Sequence, residues 1–81
     1  MKESLKLYGT ASCPQCQVAK KYLEKKLVPF EYIDVLENPE GMKELENRGL
    51  STLPVIMRND GTSYVAGFNV KAIDTLIKEE I

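Results

Sequence analysis

Apolar residues recur along the chain at spacings that predict alternating strands and helices. Leu5, Leu7 and Tyr8 indicate a short buried first strand that ends at Gly9. Farther on, apolar residues return every three or four positions, which predicts a helix that runs to about Lys26. Its inward stripe is predicted to consist of Val18, Ala19, Tyr22 and Leu23.

The boundaries of this first helix predict a βαβ unit. Ser12 or Cys13 occupies the capping position, and Pro14 suits the first helical position because its fixed φ is already helical. After Pro29, the aromatic and β-branched residues of the segment Phe30 to Val35 are typical of a second strand. Because such crossovers are right-handed and join parallel strands, we expect the first two strands to be neighbours.

The second half of the chain predicts two more helices and two more strands. Asn38 and Pro39 repeat the cap-plus-proline signature of a helix, which places Met42 and Leu45 inward and which Gly49 ends. Three further segments are predicted: a third strand at Val55-Ile56-Met57, a hairpin turn at Asn59-Asp60-Gly61, and an antiparallel fourth strand from Thr62 to Val65.

The last helix is predicted to begin after Asn69, which is a preferred capping residue. The predicted order is therefore β-α-β-α-β-β-α, in a single domain over residues 1–81. The buried stripe of this last helix is predicted to consist of Val70, Ile73, Leu76 and Ile77.

Composition narrows the possible functions. The 81 residues are 43% hydrophobic and 28% charged with a net charge of −1, which argues against disorder and against a basic nucleic-acid binder. No apolar run approaches the roughly 20 residues of a membrane span, and the amino terminus lacks a signal-peptide core. We therefore expect a cytoplasmic protein. In that reducing compartment, two cysteines indicate a catalytic or metal-binding pair rather than a permanent crosslink.

The two cysteines, Cys13 and Cys16, are three residues apart at the predicted start of the first helix. Residues at this spacing are neighbours on one helix face, so the two sulfurs can close a disulfide with little backbone movement. The free N–H groups and dipole at the helix start favour a thiolate at Cys13, whereas Cys16 lies one turn inside the helix. We therefore expect Cys13 to attack substrate disulfides and Cys16 to resolve the mixed disulfide.

Three motifs together resemble the glutaredoxins of the thioredoxin fold: Cys13-Pro14-Gln15-Cys16, Thr52-Leu53-Pro54 and Gly67-Phe68. The resemblance implies a four-stranded mixed sheet flanked by three helices, with Pro54 in a cis peptide opposite the cysteines. It also implies that the backbone of Leu53 pairs with the substrate, as in strand addition. The substrate-binding surface that it implies comprises Pro14, Gln15, Thr52, Leu53, Pro54, Gly67, Phe68 and Asn69.

Some features of the chain depart from glutathione-using glutaredoxins. Gln15 replaces their tyrosine, the segment Thr10-Ala11-Ser12 lacks their lysine, and Asn69 stands where they have an aspartate. The lysine and the aspartate contact the charged ends of glutathione, so their loss weakens the case for glutathione. Gln15 and Phe68 instead resemble the NrdH-type redoxins, although Pro14 is the usual glutaredoxin choice and Val65 stands where those redoxins have tryptophan.

The NrdH-type resemblance implies a monomeric electron carrier that binds no cofactor. Such a carrier is reduced by thioredoxin reductase and reduces disulfides of partner proteins, with ribonucleotide reductase as a candidate. A classical glutaredoxin reduced by glutathione is the alternative. Another alternative is a soft-metal domain that holds Cu(I) between the cysteines, but it predicts the order β-α-β-β-α-β and a methionine where this chain has Ala11. We predict no metal site.

Phe68 and Asn69 also have purely structural interpretations. Phe68 precedes the helix cap and can pack on Ile73 as a hydrophobic staple. Asn69 suits the cap itself. Both interpretations are compatible with a contact to a partner.

Overall fold

The computed structural model describes residues 5–80, with side chains for residues 5–78. The predicted order of elements is confirmed. The elements are β1 Leu5–Gly9, α1 Pro14–Lys25, β2 Phe30–Asp34, α2 Pro39–Asn47, β3 Val55–Arg58, β4 Tyr64–Ala66 and α3 Val70–Glu80.

The four strands form one mixed sheet in the order β2-β1-β3-β4. β1 and β2 are parallel with Leu7 opposite Tyr32, as the βαβ interpretation predicted. β3 runs antiparallel to both β1 and β4. The fold is thus thioredoxin-like, and its element order differs from that of the soft-metal alternative.

Alternate residues of the strands serve two separate cores because successive side chains of a strand point to opposite faces. Leu7 and Ile56 pack with α1 and α3 on one face of the sheet. Tyr8, Val55 and Met57 pack with Leu45 of α2 on the other face. Helices therefore cover both faces of the sheet. None of the helices, over the described part of the chain, has the length and apolarity required to cross a bilayer.

The predicted helix ends are confirmed at three positions. Asn38 caps α2 by accepting a hydrogen bond from the Gly41 N–H at 3.2 Å, and Asn69 caps α3 by accepting one from the Ala72 N–H at 3.1 Å. Gly49 follows α2 with φ of 73°, where glycine avoids the steric cost of a Cβ.

Two predicted inward residues are wrong, and one strand is shifted. Val18 is 48% exposed because Cys16 takes the inward position one turn before Ala19. Val70 is 43% exposed because it is the first residue of α3, and helical side chains point back towards the amino terminus, where α3 has no earlier turn.

The fourth strand begins later than predicted, at Tyr64 rather than Thr62. The Asp60 carboxylate accepts hydrogen bonds from both the backbone N–H and the hydroxyl of Thr62, at 3.0 and 2.7 Å. These bonds hold Thr62 in the turn, so the strand cannot begin there.

Candidate functional site

The motif segments converge at one edge of the sheet. Tyr8 of β1 lies opposite Val55 of β3, which in turn lies opposite Ala66 of β4. Because these neighbouring strands are antiparallel, the residues after β1, before β3 and after β4 share that edge. The cysteine motif, the Thr52-Leu53-Pro54 segment and Gly67 are therefore brought to the same end of the molecule.

Cys13 is the N-cap residue of α1. Its Sγ accepts a hydrogen bond from the Cys16 N–H at 3.2 Å, and its own N–H donates to the Thr10 carbonyl at 3.2 Å. Pro14 occupies the first helical turn, in which there is no acidic residue. A negative charge on the Cys13 sulfur would thus meet a donated N–H and the positive end of the helix, with no carboxylate in that turn to oppose it.

The two free thiols differ in exposure. Cys13 is half-buried, whereas Cys16 is fully buried on the inner face of α1. Burial, together with the hydrogen bond to the Cys13 side chain, raises the pKa of the Cys16 thiol to about 11. One sulfur is therefore accessible to a partner, and the other is held as a neutral thiol behind it.

The raised pKa of Cys16 predicts a loss of stability in alkali. The folded pKa of about 11 lies above the ordinary value of 9.0, so the contribution of Cys16 to stability is complete below pH 9 and is lost as the pH rises towards 11. We expect the free energy of unfolding of the reduced protein to fall by up to roughly 2 kcal/mol over this interval from Cys16 alone.

Urea unfolding of reduced wild type and of Cys16→Ser at several pH values tests this expectation. The tyrosines titrate in both proteins. The difference between the two proteins in how the free energy of unfolding changes with pH therefore isolates Cys16. If the free energy of unfolding fell equally steeply with pH in both proteins above pH 9, the expectation would be contradicted.

Gly9 was predicted only as the end of a strand, but the structure gives it a second role. A Cβ at Gly9 would lie 2.8 Å from both Cβ and Sγ of Cys16, closer than side-chain atoms can approach. Only glycine lets α1 bring Cys16 this near to β1. The one sequence signal for this role is a glycine at the end of the strand that precedes the cysteine motif.

The Tyr32 hydroxyl was also not predicted to belong to the site. It lies 3.4 Å from the position that a Gly9 Cβ would occupy, on the same end of the sheet as Cys16. Its oxygen is buried and has no hydrogen-bond partner among residues 5–78. An unpaired buried hydroxyl costs about 1–3 kcal/mol. Burial and the nearby Cys16 raise the pKa of Tyr32.

Pro54 and Gly67 form a second part of the site. The Leu53-Pro54 peptide is cis, as the family resemblance implied, and Pro54 is buried. Its carbonyl accepts a hydrogen bond from the Gly67 N–H at 2.7 Å. Gly67 has φ of 84°, and Thr52 packs 3.8 Å from the position of a Cβ there. This bond fixes Thr52, Leu53 and Pro54 against the end of β4.

Phe68 contacts the cysteine helix rather than standing free. Its ring meets Tyr22 of α1 edge to face, with centroids 6.0 Å apart, and it packs against the core cluster that contains Ile73. Phe68 therefore packs on the core as the staple interpretation expects, and its direct contact with Ile73 stays a prediction. Pro14, Gln15 and Asn69 are exposed, so they line the outer surface of this edge.

Residues 5–62 match the Glutaredoxin family model. The glutaredoxin-like protein NrdH of Lactococcus lactis is 32% identical over 54 residues, which cover 67% of this chain and 75% of that protein.

Solved structures of other redoxins are similar over nearly the whole chain. The NrdH-redoxin of Escherichia coli, described as glutaredoxin-like with a thioredoxin-like activity profile, has a TM-score of 0.80 and 30% identity, covering 89% of this chain and 92% of that one. The glutaredoxin of Archaeoglobus fulgidus has a TM-score of 0.77 and 27% identity, covering 94% of this chain and 87% of that one.

Proposed function

The chain belongs to the glutaredoxin family, and from this premise we propose that it reduces protein disulfides through a dithiol cycle of Cys13 and Cys16. The observation that carries the proposal is the inequality of the two thiols. Cys13 is accessible at the helix start, and Cys16 is buried one turn behind it with its N–H bonded to the Cys13 sulfur. This arrangement supports Cys13 as the nucleophile and Cys16 as the resolving thiol.

The cycle balances as a two-electron exchange. The Cys13 thiolate attacks one sulfur of the substrate disulfide, forms a mixed disulfide and releases the first substrate thiolate. Cys16 then loses its proton and attacks the Cys13 sulfur, which releases the second substrate thiolate and leaves a Cys13–Cys16 disulfide. A reductant restores the dithiol.

We assign substrate positioning to the backbone of Leu53. Pro54 has no N–H, and its carbonyl is already bonded to Gly67, so neither group is free to pair with a substrate. Leu53 lies just before it at the same edge as Cys13. Pairing of this backbone with an extended segment would resemble strand addition and would demand little of the substrate sequence. Thr52, Gly67 and Phe68 would flank the substrate.

For the reductant, we propose thioredoxin reductase, and for the substrate, ribonucleotide reductase. The similarity to the L. lactis NrdH and to the E. coli NrdH-redoxin supports this choice, as do Gln15 and the Gly67-Phe68 pair. Reduction by glutathione is the second candidate, favoured by Pro14 and by the similarity to the A. fulgidus glutaredoxin. The cycle suits a reducing compartment, and we place it in the cytoplasm with the protein as a monomer.

Two coupled assays separate the reductants. The oxidised protein is mixed with NADPH and thioredoxin reductase in one assay, and with NADPH, glutathione and glutathione reductase in the other. We expect rapid NADPH oxidation only in the first. Turnover only with glutathione would reject the NrdH-like proposal but keep the dithiol cycle. A reduced protein that fails to reduce insulin disulfides would reject the proposed function itself.

A further inference from the structure

The Tyr32 hydroxyl lies beside the resolving sulfur and has no established role. We propose that Tyr32 donates a hydrogen bond to the Cys16 thiolate while the mixed disulfide is being resolved, and so sets the rate at which Cys16 closes the disulfide. The inference rests on the proposed dithiol cycle and adds to it a residue from another element, since Tyr32 lies on β2.

The geometry places the donor next to the acceptor. The Cys16 sulfur and the Tyr32 oxygen lie 2.8 and 3.4 Å from the same point, the position of a Cβ at Gly9. These distances place the two atoms no more than 6.2 Å apart, and Gly9 has no side chain to fill the space near them. Parallel pairing of β1 with β2 sets Tyr32 opposite Leu7, with its ring in the core that α1 covers. The pairing of the strands therefore fixes the position of the Tyr32 side chain beneath α1.

Cys16 needs an additional hydrogen-bond donor only during the cycle, and the Tyr32 hydroxyl is free to provide it. In the dithiol, the Cys16 side chain is neutral and has Cys13 as its hydrogen-bond partner. When Cys13 is bound to a substrate sulfur, Cys16 must become an anion in a buried place. Asp34 at the end of β2 opposes that anion. The Thr10 backbone already donates a hydrogen bond to the Cys16 sulfur and lowers its pKa. The Tyr32 hydroxyl is a further neutral donor near that sulfur, and the dithiol leaves it without a partner among the described residues.

The other charged and polar groups around the phenol do not prevent the Tyr32 hydroxyl from acting as a donor to Cys16. On α1, the Lys20 ammonium lies 5.5 Å from the centre of the Tyr32 ring, and Gln17 lies near the hydroxyl without hydrogen-bonding geometry. Burial raises the pKa of Tyr32, and Cys16, Asp34 and Cys13 raise it as well, whereas Gln17 lowers it. The net direction is upward, so the phenol keeps its proton at neutral pH. In the proposed step Cys16 gives its proton to solvent, and the Tyr32 O–H remains intact.

A chromogenic disulfide, dithiobis(nitrobenzoate), tests the proposal in two resolved phases with the protein in excess. Attack by Cys13 releases one thionitrobenzoate, and closure by Cys16 releases the second in a first-order phase. We expect Tyr32→Phe to leave the first phase unchanged and to slow the second about threefold at neutral pH. Loss of a charged hydrogen bond lowers the thiolate fraction about tenfold, and the more basic thiolate recovers roughly a factor of three in nucleophilicity.

The pH dependence of the closure rate distinguishes loss of the hydrogen bond to Cys16 from a general disturbance of the structure by the substitution. With rising pH, the closure rate of each protein should increase and then become constant. Wild type should reach its constant rate at a pH about one unit lower than Tyr32→Phe does, so that the two rates converge or cross in alkali. Tyr64→Phe makes the same chemical change at an exposed residue of β4 and should match wild type. The unfolding midpoint of Tyr32→Phe should be no lower than that of wild type, since its hydroxyl has no partner to lose.

Equal closure rates in wild type and Tyr32→Phe, or a slowing by the same factor at every pH, would overturn the proposal. Failure of the proposed function has a different signature. In that case wild type itself would show no first phase, or would release one thionitrobenzoate and never the second.

Discussion

Replacement of Cys13 by serine is expected to abolish disulfide reductase activity, with a loss of more than about a thousandfold, whereas replacement of Cys16 by serine traps the substrate on the protein. Cys13 is the accessible thiol, and its sulfur is poised at the start of α1. Without it, no covalent intermediate can form. Without Cys16, the first step remains possible, but no thiol lies one turn behind to release the substrate.

Mass spectrometry of each variant after incubation with an oxidised protein substrate gives the decisive readout. Cys16→Ser should carry the mass of one substrate chain, removable by dithiothreitol, and Cys13→Ser should carry none. The double variant Cys13→Ser/Cys16→Ser is the control for adducts formed elsewhere. Adducts on Cys13→Ser but not on Cys16→Ser would reverse the two roles, and the buried position of Cys16 would then have to open on binding.

The sequence predicted the order of elements because each element has a clear local signature. Pro14 and Pro39 mark helix starts, Gly49 marks a helix end, and the spacing of Ile73, Leu76 and Ile77 marks the inner face of α3. Such signals depend on residues close in sequence. The start of β4 depends instead on the Asp60 side chain, whose hydrogen bonds to Thr62 lengthen the turn. The hydrophobic periodicity of the sequence does not report this local competition.

The site was predictable only in part for the same reason. The cysteine pair is a local motif, and the cis Leu53-Pro54 peptide followed from the family resemblance alone. Gly9 and Tyr32 have significance only through Cys16, which approaches them across the packing of α1 on β1 and β2. No spacing within either strand encodes that approach. Their roles emerge from the tertiary arrangement, where three elements meet around one sulfur.

Replacement of Gly9 by alanine is expected to reduce stability and to disturb the step carried out by Cys16. The new Cβ would lie 2.8 Å from both Cβ and Sγ of Cys16. Cys16 cannot turn away freely, because it is fully buried and shares the inner face of α1 with Ala19 and Leu23. The first turn of α1 must therefore move away from β1. We expect a loss of about 1–3 kcal/mol in the free energy of unfolding, typical of overpacking, and a changed rate of closure by Cys16.

Gly49→Ala is the matched control, because its effect comes from a different cause. Gly49 has φ of 73° and no atoms within 4 Å of a Cβ, so alanine there costs about 1–2 kcal/mol in backbone conformation and leaves the cysteines untouched. Urea unfolding and the two-phase thiol assay should thus separate the variants: both lose stability, but only Gly9→Ala alters closure.

If Gly9→Ala is too unstable for the thiol assay, urea unfolding of Gly9→Ala and of Gly9→Ala/Cys16→Ala still tests whether the Cys16 sulfur presses on position 9. Removing the sulfur deletes one of the two close contacts, so the cost of the alanine at position 9 should be smaller in that background than in wild type. Equal costs in both backgrounds would mean that the Cys16 sulfur does not press on Gly9. Unchanged stability and closure in Gly9→Ala alone would mean that α1 tolerates a wider separation from β1, and the proposed proximity of Tyr32 to Cys16 would lose its geometric basis.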